Sequence, residues 1–139
     1  MNSITITGNL TREPEMKFLN SGQATVKLGI AVNRRWQNRQ TQEWEERVSY
    51  FTVIAYGKLA ENCQESLMKG AKVTVAGRLE QRSWETETGE KRSVEEIVAD
   101  DIAASLQSAT VLISRNEKAQ SGGSVSAKSS VPAFDDSPF

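Results

Sequence analysis

The chain has 139 residues, a formal net charge of −1, a single cysteine and no histidine. That length fits one domain plus an appendage, Cys63 alone excludes an internal disulfide, and the absence of histidine excludes a zinc site or a histidine-based catalytic triad. Residues 1–20 carry Arg12 and scattered acids without a continuous apolar stretch, which predicts neither a signal peptide nor a membrane span, and a cytoplasmic location.

In chain order, the first predicted strand covers residues 3–9, where Ile4 and Ile6 alternate with Thr5 and Thr7 before Gly8-Asn9 and Glu13-Pro14 break the pattern. A second strand spans residues 25–34, with Val26, Leu28, Ile30 and Val32 at strict period two. Residues 37–43, rich in Gln, Asn and Thr, read as an extended hairpin loop, and a third strand follows over residues 47–56. Gly57 ends it. Leu59, Cys63 and Leu67 then recur at i, i+4, i+8, the spacing of one helical face, and Gly70 is expected as a left-handed cap, with Lys69 complementing the helix dipole. A fourth strand covers residues 72–84, with Val73, Val75 and Leu79 on one parity and Lys72, Thr74, Arg78, Arg82 and Trp84 on the other. Glu87-Thr88-Gly89-Glu90 is a turn, and a fifth strand covers residues 92–99.

Five strands with one short helix between the third and fourth is the order of an OB-fold, an all-β Greek-key barrel. The pattern stops after Ile113, so the barrel domain is expected over residues 1–113. Residues 114–133, dominated by Ser, Ala and Gly, predict a disordered linker, and Phe134-Asp135-Asp136-Ser137-Pro138-Phe139 forms an acidic-aromatic C-terminal tip.

No phosphate-cradling glycine loop, nucleophile elbow or metal-ligand spacing is present, and the acidic pairs Glu45-Glu46, Glu95-Glu96 and Asp100-Asp101 point to opposite faces if they lie on strands. An enzyme is not expected, nor is a cofactor. The aromatics are more informative. Trp36 follows Arg34-Arg35 in an otherwise polar segment, and Trp84 shares its parity with Lys72, Arg78 and Arg82, whereas a packing tryptophan sits among apolar neighbours. Tyr50 and Tyr56 share the parity of Thr52, opposite the core-like Phe51, Val53 and Ala55. Trp44, across the loop, fits a hairpin clasp and is assigned no binding role. Rings interleaved with cations suit single-stranded DNA, because bases stack on rings at about 1–3 kcal/mol each while cations follow the phosphates, with little sequence preference.

These residues resemble the bacterial single-stranded DNA-binding protein family, and their overall wording is similar to its actinobacterial members. The resemblance runs from Gly8-Asn9-Leu10-Thr11-Arg12-Glu13-Pro14-Glu15 through Tyr56-Gly57-Lys58-Leu59-Ala60-Glu61, Lys69-Gly70, Gly77-Arg78-Leu79, Arg82-Ser83-Trp84-Glu85-Thr86 and Gly89 to Pro138-Phe139. It implies an OB-fold homotetramer that wraps single-stranded DNA in replication, recombination and repair, at the nucleoid. Carried over by position, it implies base stacking on Trp36, Tyr50, Tyr56 and Trp84, phosphate contacts from Arg34, Arg35, Lys58, Lys69, Lys72, Arg78 and Arg82, and recruitment of replication and repair proteins by residues 134–139. Tyr50 stands where members often carry Trp, Phe51 where some carry His, and only two acids precede Ser137 where family tails have a longer acidic run. An RNA-binding or primosome-type accessory barrel is the alternative.

Overall fold

The structure, a computed structural model, describes residues 1–117. Six strands and one helix follow in the order β1 (Ile4–Leu10), β2 (Glu15–Phe18), β3 (Ala24–Gln37), β4 (Trp44–Tyr56), α1 (Lys58–Ser66), β5 (Lys72–Glu85) and β6 (Lys91–Ala104). The sheet order β1-β5-β6-β4-β3-β2 is closed by β1 pairing with β3 at Asn9–Ala31 and Leu10–Ile30. Five strands therefore make a closed barrel, with β2 added along β3. The compact unit ends at Ser108, and a second unit begins at Ala109.

The period-two residues of β3 form the heart of the core. Val26, Leu28 and Ile30 are wholly buried, together with Val53, Ala55, Val73, Val75 and Ile97. Each buried Val, Leu or Ile among them contributes about 1.5–3 kcal/mol. Helix α1 packs on the barrel core through Ala60 and Cys63, with Leu59 on the same face and Leu67, just past the helix end, against the same cluster. Burial raises the Cys63 thiol from an ordinary 9.0 to about 11, so it is a packing residue rather than a nucleophile.

Closure depends on one close approach. A Cβ on Gly8 would run into the Ala31 carbonyl oxygen and stand 2.8 Å from Ile30 Cγ2, so only glycine lets β1 lie across β3 here. β1 otherwise pairs with β5 from Ile4–Gly77 to Asn9–Lys72, and along Ile4 to Thr7 its other edge has no strand partner among the described residues.

Two features depart from the sequence-based expectation. Strand β2 is not among the expected elements: it begins just after the Glu13-Pro14 break, is four residues long, pairs with Ala24 to Lys27, and places only Met16 on the core. The helix ends at Ser66, with Leu67 extended, so Gly70 (φ +92°) is not its cap but the left-handed position of a turn closed by Ala71 N–H to Met68 O at 3.0 Å. Lys69 thus lies beyond the helix end. Leu79 keeps the parity of Val73 and Val75 but is 37% exposed, because β5 continues past the barrel rim.

Candidate nucleic-acid interface

Two antiparallel arms project from the barrel. The β3–β4 ladder continues to Gln37–Trp44, and the β5–β6 ladder to Glu85–Lys91. Beyond Ile30 on β3 and Gly77 on β5, burial gives way to exposure, since no second layer covers these segments. The first arm closes through Asn38 N–H to Glu43 O and Gln42 N–H to Asn38 O, both 2.8 Å, with Asn38 Oδ1 also accepting from Gln40 and Thr41 N–H. The second closes through Thr86 N–H to Glu90 O at 2.8 Å, with Gly89 at φ +88°.

Directly paired residues share a face, so the register assigns each ring. Tyr50 pairs with Ala31 and Tyr56 with Thr25, on the parity opposite the buried Val26, Leu28 and Ile30. Both tyrosines therefore point outward, 73% and 45% exposed. Trp84 is also on the outward parity of β5, opposite Val73 and Val75, and is 43% exposed. Trp36 differs. It shares the parity of Ile30, pairs with Glu45, and lies on the core-side face of the arm where that face has outrun the core. The arm's two faces thus divide the predicted rings: Trp36 on one, Tyr50 and Tyr56 on the other.

Each of the chain's three tryptophans carries an arginine. Arg34 lies 5.4 Å from the Trp36 ring centre, Arg35 4.9 Å from Trp44, and Arg82 5.0 Å from Trp84. These separations suit cation–π attraction. The Arg82 guanidinium is also gripped by Glu96, Nε to Oε1 at 3.2 Å and Nη2 to Oε2 at 3.4 Å. That hydrogen bond, then the Glu96 charge, with a smaller contribution from Tyr56, raises the Arg82 pKa further. Tyr56, Arg82, Glu96 and Trp84 accordingly form one cluster on the outer face of β4, β6 and β5.

The other predicted cations have varied surroundings. Arg78 pairs with Glu80 at 2.6 Å and Asp100 at 3.7 Å, and Lys58 with Glu61 at 3.5 Å. Lys72 donates to Gln107 at 2.6 Å from the end of β5 remote from Trp84. Arg34, Arg35 and Lys69 have no carboxylate within ion-pair distance among the described residues. The predicted tip, residues 134–139, lies outside the described residues. Among those described, no group of three or more His, Cys, Asp or Glu could hold a metal, and no helix is long and apolar enough to cross a membrane.

The family model described as "Single-strand binding protein family" matches residues 1–105. The chain belongs to the single-strand binding protein family. That family comprises binding proteins, not enzymes. The chain is 44% identical over 132 residues to the single-stranded DNA-binding protein of Mycobacterium tuberculosis, covering 94% of this chain and 79% of that one. It is 45% identical to the Corynebacterium glutamicum single-stranded DNA-binding protein over 84% of this chain and 52% of that relative. Among solved structures, the Plasmodium falciparum SSB in complex with ssDNA matches with a TM-score of 0.69 and 27% identity, over 75% of this chain and 94% of that one.

Two residues of this single-strand binding family member escaped the sequence reading. Glu96 was seen only as half of an acidic pair, yet counting back from the Glu87–Glu90 turn puts Arg82 opposite Val94 and Glu96 one step along the same face. Trp44 had no visible partner because its arginine, Arg35, comes from the other strand of the arm.

Proposed function

We propose that this protein binds single-stranded DNA with little sequence preference, stacking bases on Tyr50, Tyr56 and Trp84 on the outer face and on Trp36 across the β3–β4 arm. The observation that carries this reading is that every tryptophan stands outside the core with a guanidinium 4.9–5.4 Å from its ring. A ring and a cation side by side match the two parts of a nucleotide, base and phosphate. Arg34, Arg35 and Lys69 meet phosphate directly. Lys58, Lys72, Arg78 and Arg82 already hold protein partners, so they reach phosphate only in exchange for them and add less. Family membership and the ssDNA-bound Plasmodium structure support the choice of ligand.

The same reading extends to a cytoplasmic, nucleoid-associated protein of replication, recombination and repair. The free β1 edge along Ile4 to Thr7 supports assembly into a homotetramer, since an unpaired edge invites another strand. Residues 134–139 recruit replication and repair proteins, with Phe139 filling a pocket and Asp135-Asp136 meeting basic residues at its rim. The test is a tryptophan-fluorescence titration with oligo(dT), a duplex and single-stranded RNA. Strong quenching by oligo(dT) and little by the duplex is expected. Equal responses to both would refute the single-strand reading, and tighter binding of RNA would favour the RNA-binding alternative.

A further inference from the structure

We propose that Trp44 and Arg35 form an additional nucleobase-stacking platform, which carries bound DNA outward along the β3–β4 arm beyond Tyr50. This inference rests on the single-stranded DNA reading and deepens it.

Trp44 opens β4 and is 60% exposed. A clasp would press its ring against an apolar cross-strand neighbour, but the residue opposite is Gln37. The arm needs no such clasp. Its end is held by the backbone bonds of Asn38, Gln42 and Glu43, reinforced by Gln37 Nε2 donating to Gln42 O at 3.0 Å. What touches the ring is Arg35, one diagonal step away, at 4.9 Å from its centre. Arg35 holds one side of the indole, leaving the other side for a base.

The charge also fits. Unlike Arg78 and Arg82, Arg35 has no carboxylate within ion-pair distance among the described residues, even though Glu46 stands opposite it in the ladder. Its guanidinium can accordingly meet a phosphate while the ring meets the base. Trp44, Glu46, Val48 and Tyr50 alternate onto one face of β4, so the new platform and Tyr50 lie on the same side of the arm. Six residues of strand separate them by about 20 Å, room for a run of nucleotides rather than a single one.

The test uses the full chain with Trp36→Phe and Trp84→Phe, so that Trp44 is the only tryptophan, and follows its emission alongside the anisotropy of labelled oligo(dT). Saturable quenching of Trp44 with the midpoint of the anisotropy curve is expected. In the otherwise native chain, Trp44→Ala should weaken oligo(dT) binding about 5- to 150-fold, the span expected for one stacked base. Trp44→Phe should restore most of that loss, with the melting curve unchanged in both. Anisotropy that rises while Trp44 emission stays flat, or a Trp44→Ala chain that binds like the native one, would overturn the platform and leave the proposed function standing. Failure of the native chain to bind oligo(dT) would overturn both.

Discussion

Replacing Glu96 by glutamine should increase, not decrease, the salt sensitivity of DNA binding. Each phosphate neutralised on a single strand contributes about 0.7 to the slope of log affinity against log salt. If all seven candidate cations contributed fully, the slope would be about 5, and affinity would fall roughly 900-fold between 50 and 200 mM salt. Three of them, however, already face carboxylates: Lys58, Arg78 and Arg82. A phosphate that displaces such a carboxylate leaves it bare beside the DNA, so the exchange gains little. Lys72 is tied to Gln107 at the far end of β5. Arg34, Arg35 and Lys69 alone give a slope of about 2, a fall of roughly 20-fold over the same range. Glu96→Gln keeps the shape and an acceptor oxygen for Arg82 but removes the opposing charge, freeing one more cation and raising the slope by about 0.7. Anisotropy titrations of labelled oligo(dT) at four or more salt concentrations measure both slopes. A native slope near 5, or a Glu96→Gln slope equal to the native one, would mean that the paired cations meet phosphate as freely as the unpaired ones.

Other perturbations separate core from surface. Leu28 is fully buried, so Leu28→Ala should cost about 2–5 kcal/mol of stability in denaturant unfolding; Trp84→Ala should instead weaken oligo(dT) binding by about 1–3 kcal/mol with little change in stability. The Cys63 thiol, raised to about 11, stays protonated in the fold. Iodoacetamide should therefore label native protein slowly at pH 8 and unfolded protein fast. Because the raised value favours the neutral thiol, the stability it brings is intact below pH 9 and lost as pH rises toward 11, a loss that Cys63→Ala should abolish. Truncation after Arg115 should preserve oligo(dT) affinity and abolish capture of replication and repair proteins. Equal capture by both forms would reduce the tip to a tether.

The parts of the fold legible in the sequence are those in which one side chain answers to one layer. Val26, Leu28 and Ile30 alternate because only the barrel interior lies on their face, and the hairpin turn at Gly89 is written in its residues. β2 was not legible: a four-residue edge strand needs only Met16 on the core, which leaves no periodicity to detect. Leu79 keeps the parity of Val73 and Val75, but its exposure is not legible in the sequence, because parity does not say where the barrel ends beneath the strand. The candidate rings were found from their polar neighbours, but their distribution between two faces follows from register. Trp36 and Tyr50 face opposite ways because Tyr50 pairs with Ala31, an odd-numbered position of β3. Contacts across a ladder, Arg35 with Trp44 and Arg82 with Glu96, become visible only once that register is known.

If exposed rings, more than cations, hold the strand, an oligonucleotide of abasic sites should lose most of its affinity. It keeps the phosphates and removes everything that can stack. Against oligo(dT) of equal length at fixed salt, the abasic strand should bind at least about 100-fold more weakly, the loss of two or more stacked bases, and leave tryptophan emission unquenched. Equal affinity for the two strands would mean that the cations hold the DNA and the rings do not.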